Sequence, residues 1–207
     1  MADDCCNTKS EEIAVLARQA DQRRVLLWVL AINFIMFIVE FGGGLLAGSA
    51  SLMADSVDML GDALVYGASI FVLTRNHRWK AGAAALKGAI VLVFGIGVLV
   101  QIGLKIAYGV PPSSNLMLIF ASLALAANMI CLALLWRFRA QDLNMSSTFE
   151  CSRNDVAANI GVLVAAVLVA TFEAAWPDIA VAVVIALLFL RSAFGILSEA
   201  IPRLGLK

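Results

Sequence analysis

Charge is what this sequence has least of. Asp, Glu, Lys and Arg make up 14% of its 207 residues, against about 25% in an ordinary soluble domain. The 15 acids cancel the 15 bases, so nothing supplies the basic face that nucleic acid requires, and no nucleic-acid partner is expected. Histidine is almost missing too. His77 stands alone, and neither Ser56 nor Ser152 has an evident histidine partner for nucleophilic chemistry. The four cysteines, Cys5, Cys6, Cys131 and Cys151, lack framework spacing. Cys131 and Cys151 fall inside apolar runs, which argues against disulfide staples. No GxxxxGK[ST] phosphate loop occurs, so an ATP-driven machine on this chain is disfavoured.

What fills the sequence is apolar, at 62% of residues. Six runs, approximately 25–46, 52–73, 83–107, 115–136, 149–172 and 177–198, are each long enough to cross a bilayer as a helix. The expected fold class is therefore an all-α membrane protein, a bundle of six transmembrane helices. Its organisation reads as a cytoplasmic N-terminal segment 1–22, a six-helix transmembrane domain 23–200 and a short cytoplasmic tail 201–207. The first run follows polar residues and has no cleavage-like end, so it reads as a span rather than a signal peptide. Ser10-Glu-Glu resembles a helix start ahead of it.

Positive charge sorts by connection. Arg18, Arg23 and Arg24 precede the first run; Arg75, Arg78, Lys80 and Lys87 surround the second connection; Arg137 and Arg139 open the fourth; Arg203 and Lys207 close the chain. The alternate connections, at 48–51, 109–115 and 173–178, carry no Lys or Arg. The positive-inside rule then puts both termini in the cytoplasm. Lys105, near the far end of the third run, is the misfit, and the expectation is that it snorkels to the interface.

Against that apolar background four acids stand out. Asp55, Asp58 and Asp62 lie in the second run and Asp155 in the fifth, with Cys151 one turn before it. An ionised carboxylate inside a bilayer is costly and persists mainly where it faces a polar cavity, a partner or a cation. Residues four apart share a helix face. Asp58 with Asp62, and Cys151 with Asp155, thus offer two ligand atoms from each of two helices. That pattern suits a divalent metal ion, and the alternative is that Arg153, Lys105 or water satisfies the acids.

Segment by segment, the chain resembles the cation diffusion facilitator family of divalent-metal/proton antiporters. The similarity runs through EFGGGLLAGSASLMAD at 40–55, DMLGD at 58–62, DVAANIGVLVAA at 155–166 and WPDIAVAVVIALLFLRSAF at 176–194. It covers about residues 25–200 in unbroken order. Two features depart from the family pattern. Cys151 stands where the family carries His or Asp. The cytoplasmic metal-sensing, dimerising domain that usually follows span six has no counterpart in 201–207, so the resemblance is to a short form.

The resemblance implies efflux of Zn²⁺, Cd²⁺ or another soft ion coupled to proton antiport by alternating access. The metal ligands are then Asp58, Asp62, Cys151 and Asp155. Three oxygens and a sulfur fit tetrahedral Zn²⁺, and the thiolate biases the set toward softer ions. The metal is cargo, so no resident cofactor and no enzyme activity are expected. The partners are the divalent metal ion, protons, membrane lipid and a second copy in a homodimer, and the location is a bacterial inner (plasma) membrane. The rival readings are a metal-binding sensor or accessory subunit and an intramembrane metalloenzyme.

Several polar residues carry two readings. Asp55 serves as a gate or secondary ligand, or it caps the start of its helix. Glu150 pairs with Arg153 or ligates in one state. Asn159 continues the Asp155 face and either lines the path or makes a hydrogen bond between helices, the latter being the reading for Asn33 and Asn128. Gly42, Gly43 and Gly44 allow close approach or a bend. His77 reads as a loop residue, and Cys5 and Cys6 either recruit a soft ion or take no part.

Overall fold

Glycine and short polar turns divide the chain into six long helices. The computed structural model describes residues 2–72, 77–139 and 143–205. Its helices are α1 (Ala2–Ala47), α2 (Ala50–Val72), α3 (His77–Tyr108), α4 (Ser114–Trp136), α5 (Leu143–Phe172) and α6 (Trp176–Gly205). The described part of each expected run is helical. The helices outrun the apolar stretches, α1 by two turns and more of polar chain at its start, and α3, α5 and α6 by about two turns at the ends expected in the cytoplasm. Two local readings change. The helix expected to begin near Ser10 is continuous with α1, and His77 opens α3 instead of lying in a loop. The side chains of Cys5, Cys6 and His77 lie outside the described residues.

The odd-numbered helices all stop on a residue with positive φ: Gly48 (64°), Gly109 (64°) and Glu173 (50°). Their amides reach back to the preceding turn, Gly109 N to Lys105 O at 2.8 Å and Glu173 N to Val169 O at 2.9 Å. This satisfies carbonyls that would otherwise be stranded at the helix end. The three turns gather at one end of the bundle, where Ser113 N also donates to Ala47 O at 2.9 Å.

Five helices are long and apolar enough to cross a membrane: Ala20–Ala47, Gly88–Tyr108, Ser114–Trp136, Thr148–Phe172 and Trp176–Ser198. Their outward faces carry large exposed side chains such as Leu46, Val93 and Leu188, the surface an integral membrane protein presents to lipid. The exception is α2, whose three aspartates break its apolar run. Yet α2 touches α1, α3, α4, α5 and α6, and its residues 50–57 are all buried. The helix least suited to lipid is the one the others surround.

Around it Leu52, Met53 and Val57 pack with Val98, Met117, Val162, Ile185 and Phe189. A second cluster of Val29, Tyr66, Cys131, Leu135, Phe138 and Met145 fills the opposite end. Small residues set the close approaches. A Cβ on Gly44 would lie 2.8 Å from Met53 Cγ and 3.0 Å from Met53 N, where α1 meets α2, whereas Gly42 has open space. The expected result is that Gly44→Ala lowers stability by about 1–3 kcal/mol through overpacking, while Gly42→Ala is neutral or slightly stabilising. Thermal unfolding of both variants in one detergent checks the contrast, and equal melting temperatures would reject it.

Candidate metal site

The acids of α2 split into separate environments. Asp62, half-buried, accepts a hydrogen bond from Tyr66 Oη at 2.9 Å. Tyr66 lies one turn further along α2, at the same four-residue spacing that relates Asp58 to Asp62. Across the α2–α5 contact, Asp62 meets Asp155. The two carboxyl groups face each other, and Asp155 also lies in the field of Asp58 and Asp55. Asp155 is buried, on the face of α5 that carries Thr148, Ser152 and Asn159. Two carboxyl groups this close hold a proton or a cation between them, since both cannot stay ionised and uncompensated.

Asp58 is half-buried and lines a cavity of about 720 Å³ between α5 and α6, with Asn154, Gly161, Val184, Phe189 and Ser192 on its walls. Cys151 is exposed on the flank of α5, within the electrostatic reach of Tyr66. Of the four sequence-derived ligands, Asp62 and Asp155 are thus brought together, Asp58 stands beside them at a cavity, and Cys151 lies at the edge. Among the described residues no three His, Cys, Asp or Glu side chains converge as a metal cage.

The secondary candidates separate cleanly. Glu150 pairs with Arg153 at 2.5 Å, both exposed, so the local ion pair holds and Arg153 does not neutralise the buried acids. Asn159 Nδ2 turns back to the Asp155 carbonyl at 2.9 Å while its buried Oδ1 has no partner. Asn33 Nδ2 donates to Val29 O at 2.9 Å and makes a long 3.9 Å contact with Cys131 Sγ on α4, a link between helices as its position suggested.

Asp55 does not cap α2. That role falls to Ser49, whose Oγ accepts from Leu52 N at 3.2 Å, and to Asp178 from α6. Asp178 accepts from Ser49 Oγ and Ser51 Oγ at 2.6 Å, from Ala50 N at 2.9 Å and from Ser51 N at 3.1 Å. The fifth donor is Lys105 Nζ at 2.8 Å. Lys105 therefore does not snorkel. It is 7% exposed and Asp178 is 0% exposed, a buried ion pair joining α2, α3 and α6 at the turn end. The cue was present in the sequence: a lysine inside a span calls for an anion, and Pro177-Asp178 opens the helix beside it. Tyr66 and Cys131 were also missed. Cys131 is buried within the field of Asp155 and Asp62, and its thiol bears no spacing relation to them that a sequence could reveal.

Comparison with known proteins bears on this arrangement. The pattern of the cation efflux transmembrane domain matches residues 26–204, nearly the whole chain. The chain belongs to the cation efflux family. Its relatives include the metal cation efflux system protein CzcD of Cupriavidus metallidurans, 26% identical over 200 residues that cover 86% of this chain and 63% of the relative. The cadmium, cobalt and zinc/H(+)-K(+) antiporter of Bacillus subtilis is 24% identical over 194 residues, covering 84% and 61%. The zinc transporter ZitB of Yersinia pseudotuberculosis is 24% identical over 209 residues, covering 92% and 65%. The chain thus spans somewhat under two thirds of the length of each of these relatives.

Proposed function

We propose that this cation efflux protein carries a divalent transition-metal cation out of the cytoplasm in exchange for protons, by alternating access of a six-helix bundle in which α2 is the sixth span. Zn²⁺ and the softer Cd²⁺ are the proposed cargo, and Asp58, Asp62, Cys151 and Asp155 the proposed ligands. The observation that carries this reading is the meeting of Asp62 and Asp155 across the α2–α5 contact, in a chain whose named relatives move such metals. A transporter accounts for acids on two separate helices better than an intramembrane metalloenzyme or a sensor subunit, neither of which needs exchangeable ligands on facing spans.

The chemistry follows from competition at the same atoms. Carboxylates and a thiolate bind metal only after losing their protons. Metal reaches the deprotonated acids through the cavity that Asp58 lines, with both termini on the cytoplasmic side. Tyr66, donating to Asp62, orients that carboxylate toward α5. After the bundle opens outward, protons reclaim the ligands and the cargo leaves. A second copy of the chain completes a homodimer, packed through the exposed apolar faces. Flux of Zn²⁺ and Cd²⁺ into sealed vesicles under an imposed pH gradient tests the reading. No metal-dependent proton movement in either direction would end it.

Cys151 sets the preference between cargoes on this reading. Its thiolate favours softer ions, and imidazole returns the family's usual ligand. In Cys151→His the Zn²⁺:Cd²⁺ flux ratio is expected to rise by about tenfold, or ~1.4 kcal/mol of differential binding. An unchanged ratio would make this thiol a bystander at the edge of α5.

A further inference from the structure

A second pair of buried acids lies apart from the proposed ligands. Glu40 on α1 is 0% exposed and Asp55 on α2 is 1% exposed. The two carboxyl groups face each other across the α1–α2 contact. Neither Glu40 oxygen, and not Asp55 Oδ2, finds an N–H or O–H donor among the described residues. Two carboxyl groups enclosed side by side with no donor cannot both stay ionised, so one of them keeps a proton.

The surroundings offer no substitute for that proton. The other helix touching α1 is α4, and its sequence from Ser114 to Trp136 contains no charged residue. On α3 the cation near this end is Lys105, already held by Asp178. Arg191 of α6 is exposed, Asp155 of α5 faces Asp62, and the next charge along α2 is Asp58, whose field adds to the negative potential. Two bare carboxylates enclosed together in this setting would repel each other with little screening.

We propose that Glu40 and Asp55 form a proton-binding site separate from the metal ligands, holding one proton between them at rest and exchanging it during the transport cycle. The exchange half of this statement rests on the antiport reading above; the resting proton does not. Asp55 lies three residues from Asp58, about 5 Å along the helix, and seven from Asp62, about 10 Å, so the proton's station adjoins the metal's but uses different side chains. Glu40 is then a coupling residue whose removal changes how many protons move per metal without removing a metal ligand.

Two measurements test this. Parent-minus-variant difference infrared spectroscopy of the purified protein in lipid, with the Asp62–Asp155 pair unchanged in both, reads the C=O stretch of a protonated carboxyl group. The band belonging to the Glu40–Asp55 pair is expected to vanish in both Glu40→Gln and Asp55→Asn. In vesicles, proton and Zn²⁺ fluxes recorded together are expected to show about one proton fewer per ion in Glu40→Gln, with Zn²⁺ affinity by calorimetry within about twofold of the parent. Should Glu40→Gln fail to insert, Asp55→Asn supplies both readouts. A band that persists in both variants overturns the proposal, as does an unchanged proton:metal ratio. A parent protein that moves no metal defeats the antiport reading instead, and leaves the infrared result to decide whether the resting proton exists.

Discussion

Alanine in place of Asp155 is expected to bring metal flux in sealed vesicles down to background. The loss should exceed the roughly 10–100-fold that follows removal of a supporting group around a metal ligand, because Asp155 is the one proposed ligand on α5 that meets an acid of α2. Asp58→Ala should act in the same direction from its place at the cavity. Stability separates this role from a structural one. Asp155 faces another carboxyl group, so Asp155→Asn relieves a like-charge contact and should leave melting unchanged or raised. A variant that transports at the parent rate would remove Asp155 from the site. Loss of flux accompanied by collapse of the fold would mark it as a packing residue.

Removing the carboxylate of Asp178 should instead destabilise the protein heavily. Its five donors come from Ser49, Ala50, Ser51 and Lys105, and both charges are buried. Asp178→Ala strands an ammonium together with the first amides of α2. Breaking a buried pair from one side costs about 3–5 kcal/mol, whereas replacing both partners costs far less. Asp178→Ala should therefore melt well below the parent, and Lys105→Met with Asp178→Leu should recover part of the loss. Thermal unfolding of the single and double variants gives the coupling directly. Additive losses, with no recovery in the double variant, would mean that the pair is not coupled.

The helices were legible because apolar length is a local property. Each run from 25 to 198 announced itself, and the glycines at 48 and 109 ended helices as their backbone freedom allows. The acids were legible as anomalies, whereas the four-residue spacings related residues within α2 and within α5, and the facing of Asp62 and Asp155 came from the fold. What the sequence withheld was pairing between distant segments. Lys105 and Asp178 are 73 residues apart and Ser49 and Asp178 are 129 apart, so no periodicity connects them. The same limit hid the Glu40–Asp55 contact. For Cys151 a shared face fixes direction only to within a helical sector, and its sector falls at the exposed flank of α5 while Asp155 is inside.

The central position of α2 has a consequence for how the chain is made. On insertion scales each carboxylate at mid-bilayer costs roughly 2.5–3.5 kcal/mol, and α2 carries three of them against an apolar run of ordinary length. During synthesis it emerges after α1 and before α3 through α6, which have not yet left the ribosome. A stand-alone α2 has no stable berth among acyl chains at that stage. Its residence in the membrane becomes favourable only as later helices arrive to enclose it, so biogenesis of this protein is a cooperative event in which helices made later retain one made earlier.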